Sequence, residues 1–199
     1  MLKIGITGGI GSGKTTVCKA FEALGIPVYY ADAEAKKILS SDPAVKRSVK
    51  KLLGDQSYFS NGKPNRKYIA ALVFNDKTLL AKLNEIVHPA VALHSSRWFE
   101  SLKNEYPYAL KEAALMIESG SYKEMHLLIV VTAPENIRIQ RVVKRDKLSD
   151  EEVKKRIQSQ MPEKEKLKYA NFVICNDGEN SVILQVWNIH QKILKRKAH

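Results

Sequence analysis

The sequence predicts an α/β fold in which a mainly parallel sheet is flanked by helices. Three observations lead there. Short apolar strand-like runs alternate with amphipathic helical stretches, the pattern of parallel strands joined by crossovers. A glycine-rich loop, Gly8 to Gly13, stands between the first such run and the first helix. Residues 33–106 hold no convincing strand, and a parallel crossover needs only about a dozen residues. That stretch therefore reads as a helical insertion.

Residues 2–7 form the first predicted strand, and the helix after the loop runs from about Lys14 to Leu24, with Gly25 suited to follow its C-terminus. Residues 26–30 read as a short second strand that leads directly into Ala31-Asp32. Inside the insertion, helices are expected over 33–39, 43–53, 66–74, 77–87 and 89–105, with a turn at Asn61-Gly62-Lys63-Pro64. His88-Pro89 would then be a hinge between the last two helices. The sheet resumes over 108–117 and 126–132, and Pro134 opens a helix through Arg145. Ser149-Asp150-Glu151-Glu152 is a capping-box pattern that starts a helix ending near Gln160. Residues 172–175 are the last strand, Asn176-Asp177-Gly178 its turn, and 181–195 a closing amphipathic helix. His126, Trp98 and Trp187 read as packing residues.

Residues 1–199 thus make one domain of ordinary size that carries an insertion. The hydrophobic fraction of 44% and charged fraction of 27% are those of a globular chain. Every apolar run is shorter than the roughly 18 residues of a membrane span. The first residues lack the charged and apolar regions of an export signal, so a cytoplasmic protein without a membrane partner is expected. Cys18 and Cys175 stand alone in apolar settings, which predicts buried thiols and excludes a disulfide scaffold or a cysteine metal cluster. Lys plus Arg number 33 against 21 acidic residues, a net charge of +12. Such charge points to an anionic partner, whether nucleic acid, acidic lipid or a small molecule with several phosphates.

Gly8-Gly9-Ile10-Gly11-Ser12-Gly13-Lys14-Thr15 fits G-x-x-x-x-G-K-[ST], the P-loop. At average residue usage a chain of this length matches by accident on the order of once in a hundred. The strand before the loop and the helix after it are what the chemistry requires. Loop amides and the helix N-terminus face phosphate oxygens, Lys14 reaches the β and γ groups, and the Thr15 hydroxyl ligates Mg²⁺. A GTPase would carry Asn-Lys-x-Asp after a late strand, where this chain has Asn176-Asp177-Gly178. A motor or helicase needs a strand ending in Asp or Asp-Glu, and none of the predicted strands does. What remains is a small kinase with a P-loop core, an acceptor-binding insertion at 33–106 and an arginine-bearing lid at 138–162.

Asp32 follows the second strand, at the sheet edge where ligands bind in open α/β folds. Two readings stay open there: a base for an acceptor hydroxyl, or the N-cap of the next helix. Arg138, Arg141 and Arg145, at i, i+3 and i+7, share one helical face and suit a lid that closes on a transferring phosphoryl group.

These residues, taken in order, resemble the dephospho-CoA kinase family along nearly the whole chain. Residues 4–16 are similar to its first strand and P-loop, and Ala31-Asp32 to its second motif. Asn65-Arg66 with Leu72-Val73-Phe74 resembles an element of its insertion, and Ile86-Val87-His88-Pro89 its His-Pro junction. Residues 141–146, 156–160 and 170–176 are similar to its lid and adenine-side elements. The resemblance implies phosphorylation of the 3′-hydroxyl of dephospho-CoA by ATP with Mg²⁺, giving coenzyme A. It implies that Gly8, Gly9, Gly11, Ser12, Gly13, Lys14, Thr15 and Thr16 hold ATP, with Arg145 and Asn176 beside it. Lys14, Asp32 and Arg141 would be catalytic, Asp32 as the base. Asp32, Arg66, His88 and Glu118 would form the acceptor side. The chain departs from the family at Ala114, where a proline is expected, and at Asn171, where an acid is. A monomer or weak homo-oligomer is expected. Two rival readings are a nucleoside monophosphate kinase and a basic nucleic-acid-binding protein, the latter without any recognised reader motif.

Overall fold

The computed structural model describes residues 1–102 and 105–197. Five parallel strands, β1 (Leu2–Gly8), β2 (Val28–Tyr30), β3 (Tyr108–Glu112), β4 (Leu127–Thr132) and β5 (Phe172–Cys175), lie in the order β2-β3-β1-β4-β5. The chain divides into two compact units, one of Met1–Tyr30 with the residues from Ser101 onward, the other Ala31–Glu100.

The first unit holds the sheet. All six residues of β4 are buried, as a strand covered on both faces requires. Its alternate residues serve two cores. Leu127, Ile129 and Val131 join Ile4 and Ile6 of β1 against Val17, Cys18 and Phe21 of α1 (Lys14–Ala23) and Val186, Ile189 and Ile193 of α9 (Val182–Lys197). Leu128 and Val130 face the other way, onto Met116 and Ile117. The same unit carries α6 (Glu135–Asp146), α7 (Asp150–Gln158) and α8 (Glu163–Leu167). The capping box of α7 forms as expected, Ser149 and Glu152 each bonding the other's backbone amide.

The second unit is helical: α2 (Ala31–Ser41), α3 (Pro43–Leu53), α4 (Arg66–Asn75) and most of α5 (Lys77–Leu102). Asp42 caps α3 through the amides of Ala44 and Val45, with Pro43 in the first turn, where it forfeits no bond. Asn65 caps α4.

Several elements differ from expectation. The helices expected over 77–87 and 89–105 are one helix as far as Leu102, with Pro89 inside it, and the expectation at 103–104 lies outside the described residues. Pro89 removes one helical hydrogen bond, yet Leu83, Val91, Ser95 and Phe99 are buried on one stripe that crosses it. Packing on both sides holds the turn, so His88-Pro89 is not a break between helices. The strand expected over 108–117 stops at Glu112. Ala113 N still donates to Ile6 O at 3.2 Å, and then Ser119 N and Gly120 N close turns onto Leu115 O and Ile117 O. Met116 and Ile117 are buried from these turns, which is why their apolar run resembles strand. β2 starts two residues late because the Ile26 amide is already bonded to Phe21 O. α8 was not expected. Among the described residues no helix is long and apolar enough to cross a membrane.

Candidate active site

The loop between β1 and α1 turns on glycines. Gly11 and Gly13 hold φ of +78° and +88°, a region side chains rarely adopt. Each is also crowded: a Cβ on Gly11 would meet the Arg138 backbone, and one on Gly13 the Asn176 amide. Gly13 is the N-cap of α1, so the first amides of the helix face outward from the loop. Lys14 Nζ folds back over the loop, donating to Gly8 O at 2.9 Å and Gly9 O at 3.3 Å. Thr15 and Thr16 are exposed in the first turn, while the Ser12 Oγ is buried without a hydrogen-bond partner.

Residues from the far end of the chain fix this loop. Arg138, 6% exposed, donates from Nε to Ile10 O at 2.9 Å and lays its guanidinium against Gly9. Gln160 accepts the Ile10 amide on Oε1 at 2.8 Å, so both backbone groups of Ile10 are held. Asn176 Nδ2 donates to Ser12 O at 2.9 Å, and its Oδ1 accepts from Arg141 Nη2 at 3.3 Å. The other terminal nitrogen of Arg141, Nη1, is buried without a hydrogen-bond partner and lies beside Gly13. A buried guanidinium N–H beside a glycine loop is a donor site for an anion.

The expected arginine trio is therefore divided. Arg138 is a buried loop clamp with Glu163 at 3.5 Å, and is no solvated lid residue. Burial pushes the Glu163 carboxyl up, against the opposing pull of Arg138. Arg141 stands at the loop. Arg145 is exposed and forms a two-pronged bond to Asp146, at 2.7 and 2.9 Å, which raises its own pKa and lowers that of Asp146. Asn176 reaches the loop, whereas the Arg145 guanidinium is already engaged with Asp146. Glu118, read as an acceptor residue, places Oε1 at 2.7 Å from the ammonium of Lys166 and accepts the Met161 amide at 3.2 Å.

Asp32, Arg66 and His88 belong to the helical unit. All three are exposed: Asp32 in the first turn of α2, Arg66 at the start of α4, His88 within α5. Because α2 begins at Ala31, Asp32 is not its N-cap. Cys18 is buried, and burial raises its thiol pKa, with the Glu112 charge adding to the effect. Cys175, expected buried, is half-buried and donates to Asp177 Oδ2 at 3.2 Å.

Sequence reasoning missed the grip of Gln160 and Arg138 on Ile10 and the carboxylate of Glu112 at the end of β3. An arginine spaced like lid arginines carries no mark of burial. Glu112 was hidden by extending its strand five residues too far.

The family model for dephospho-CoA kinase matches residues 2–181. A dephospho-CoA kinase of Bacteroides fragilis (strain YCH46) is 41% identical over 196 residues, covering 96% of this chain and 95% of that protein. Among solved structures, TT1252 from Thermus thermophilus is similar with a TM-score of 0.85 at 34% identity, over 96% of both chains. The dephospho-CoA kinase from Campylobacter jejuni matches with a TM-score of 0.72 at 30% identity, over 97% of both.

Proposed function

This chain belongs to the dephospho-CoA kinase family, and from that premise we infer how its residues transfer a phosphoryl group from ATP to the 3′-hydroxyl of dephospho-CoA, giving coenzyme A. The observation that carries the nucleotide site is the buried, unbonded Nη1 of Arg141 beside the positive-φ Gly13, at the N-terminus of α1.

ATP phosphates lie along the amides of the loop and of the first turn of α1. The missing side chains of Gly8, Gly9, Gly11 and Gly13 let Val131, Arg138 and Asn176 pack against the loop and hold its shape, and Lys14 trades its bonds to Gly8 O and Gly9 O for phosphate oxygens. Arg141 adds charge where it develops in the transferring group. An exposed hydroxyl on Thr15, next to Lys14, suits a hard cation. Thr15 would thus hold Mg²⁺, which supplies charge neutralisation at the phosphates when bound.

Asp32 accepts the proton of the 3′-hydroxyl as its oxygen bonds to phosphorus and the bond to the leaving ADP breaks. Arg66 and His88, with the helical unit around them, form the acceptor side. The segment between Arg138 and Gln160, anchored at both ends to Ile10, covers the γ-phosphate as a lid and keeps water from it. Both substrates and both products are polyanions, which accounts for a net charge of +12 without a nucleic acid partner. A cytoplasmic setting and a monomeric or weakly associating state complete this reading. The test is ADP release with dephospho-CoA set against AMP, CMP, shikimate and no acceptor. Stimulation by dephospho-CoA alone supports the reading, and stimulation by AMP or CMP instead would favour a nucleoside monophosphate kinase.

A further inference from the structure

Asn176 follows β5 directly, and the resemblance of residues 170–176 to adenine-side elements sets it beside ATP. Its side chain is turned to another use. Nδ2 donates to Ser12 O at 2.9 Å, and Oδ1 accepts from Arg141 Nη2 at 3.3 Å. A carbonyl only accepts and a guanidinium only donates, so the two partners call for one donor and one acceptor side by side. A carboxamide supplies these from two neighbouring atoms. Aspartate would set an oxygen against Ser12 O, and leucine, of similar shape, would bond neither partner.

Asn176 is itself firmly held. Its amide donates to Thr132 O at 2.8 Å, where the pairing of β4 with β5 ends. Asp177 ties the turn behind it, accepting the amides of Glu179 and Asn180 at 3.0 and 2.9 Å. The Arg141 guanidinium, by contrast, stands at the end of a long, flexible side chain. Among the described residues its hydrogen-bond partner is Asn176. That bond takes one terminal nitrogen and leaves the other, Nη1, buried without a partner, 3.8 Å from where a Cβ on Gly13 would lie. Because a guanidinium is planar, fixing Nη2 restricts the direction in which Nη1 points.

We propose that Asn176 is a positioning residue for phosphoryl transfer: its carboxamide, anchored on Ser12 O, turns Arg141 so that Nη1 meets the transferring group. The inference rests on the reading of Arg141 as the arginine at that group, and it takes the Asn176 side chain away from adenine recognition. A donor aimed in advance needs no reorganisation during the reaction. The loop keeps its other holds when Asn176 is lost, since Arg138 and Gln160 grip Ile10.

The test measures kcat and KM with ATP, and with GTP in its place, for Asn176→Ala, Arg141→Lys and the double variant. Asn176→Ala should lower kcat about tenfold to a hundredfold. Its KM for ATP and its preference for ATP over GTP should each stay within about threefold of wild type. Arg141→Lys, which keeps the charge and loses the planar fork, should lower kcat at least as far. The double variant should fall no lower than Arg141→Lys alone, because a residue that acts through Arg141 then has nothing to position. Normal kcat with a raised KM for ATP and an altered ATP-to-GTP preference overturns the proposal in favour of an adenine contact. A double variant whose loss is the product of the two single losses overturns it too, because the residues then act independently. So does an Asn176→Ala enzyme that melts earlier yet turns over normally, which marks Asn176 as a support of the loop. If Asn176→Ala does not fold, Asn176→Ser, too short to bridge both partners, takes its place with the same expectations. An Arg141→Lys enzyme of normal kcat defeats the reading of Arg141 itself, and the Asn176 proposal falls with it.

Discussion

Gln160 accepts the amide of Ile10 at 2.8 Å, a bond between residues 150 positions apart that joins the segment after α7 to the middle of the phosphate loop. Arg138 holds the carbonyl of the same residue at 2.9 Å. The two peptides that flank the Ile10 α-carbon are thus each held by a hydrogen bond, so the amides that follow keep their direction before any ligand arrives. Preorganised donors of this kind need no reorganisation during the reaction.

Loosening this grip should act on ATP more than on chemistry. Gln160→Leu leaves the Ile10 amide without its acceptor, at a cost of about 1 kcal/mol, so the KM for ATP should rise about fivefold to tenfold. The KM for dephospho-CoA should hardly move. Arg138→Lys should weaken ATP further, because one ammonium cannot both bond Ile10 and meet Glu163. Steady-state kinetics with each substrate varied in turn will check both, and an unchanged KM for ATP in both variants would contradict the clamp.

Lys14 and Asp32 should separate binding from proton transfer. Lys14→Ala is expected to lower kcat by a factor on the order of a thousand while the fold survives, since the side chain lies over the loop, bonding the carbonyls of Gly8 and Gly9. Asp32→Asn should lose turnover by about a hundredfold or more with ATP affinity kept. Nucleotide titration beside turnover distinguishes these outcomes. A variant at position 32 that only melts earlier would assign Asp32 to helix stability.

Glu118 is a test between an ion pair and an acceptor contact. Its partner Lys166 is 1% exposed, so Glu118→Gln strands a buried ammonium and should cost about 3–5 kcal/mol. Glu118→Gln combined with Lys166→Met should recover much of that loss in urea unfolding. A Glu118→Gln protein of normal stability with a raised KM for dephospho-CoA would place the carboxylate at the acceptor instead.

Asp177 sets an acid limit on the turn that presents Asn176. The amides of Glu179 and Asn180, the Asn180 side chain and the Cys175 thiol all donate to it, holding its pKa well below the carboxylate norm. A depressed pKa in the folded state gives stability that is complete above the unfolded value, about 3.9, and is lost as pH falls through the folded one. Asp177→Ala should therefore melt below wild type at pH 7, with the gap closing at more acid pH. A gap that stays constant from neutral to acid pH would mean that the carboxylate charge plays no part.

What could be read in advance follows from where each signal resides. The P-loop lies within eight consecutive residues and the buried strands are continuous apolar runs, so Gly13, Lys14, β1, β4 and β5 were legible. Ser149 and Glu152 were legible for the same reason, because a capping box is complete within four residues. Pro89 misled because a local rule about helix breaking was outweighed by a buried stripe running from Leu83 to Phe99. Met116 and Ile117 misled because burial from a turn has the same composition as burial from a strand. Arg138, Gln160 and Glu112 gain their meaning only from partners far away in sequence, Ile10 for the first two and Ile6 for the third. No periodicity records such pairings.

The most direct test of the central claim is the position of the new phosphate. Phosphorus NMR of the product formed from ATP and dephospho-CoA should show one new phosphomonoester coupled to the ribose 3′ proton, with the diphosphate of the acceptor unchanged. Transfer to another hydroxyl, extension of the acceptor's own phosphates, or no transfer by folded, ATP-binding protein would contradict it.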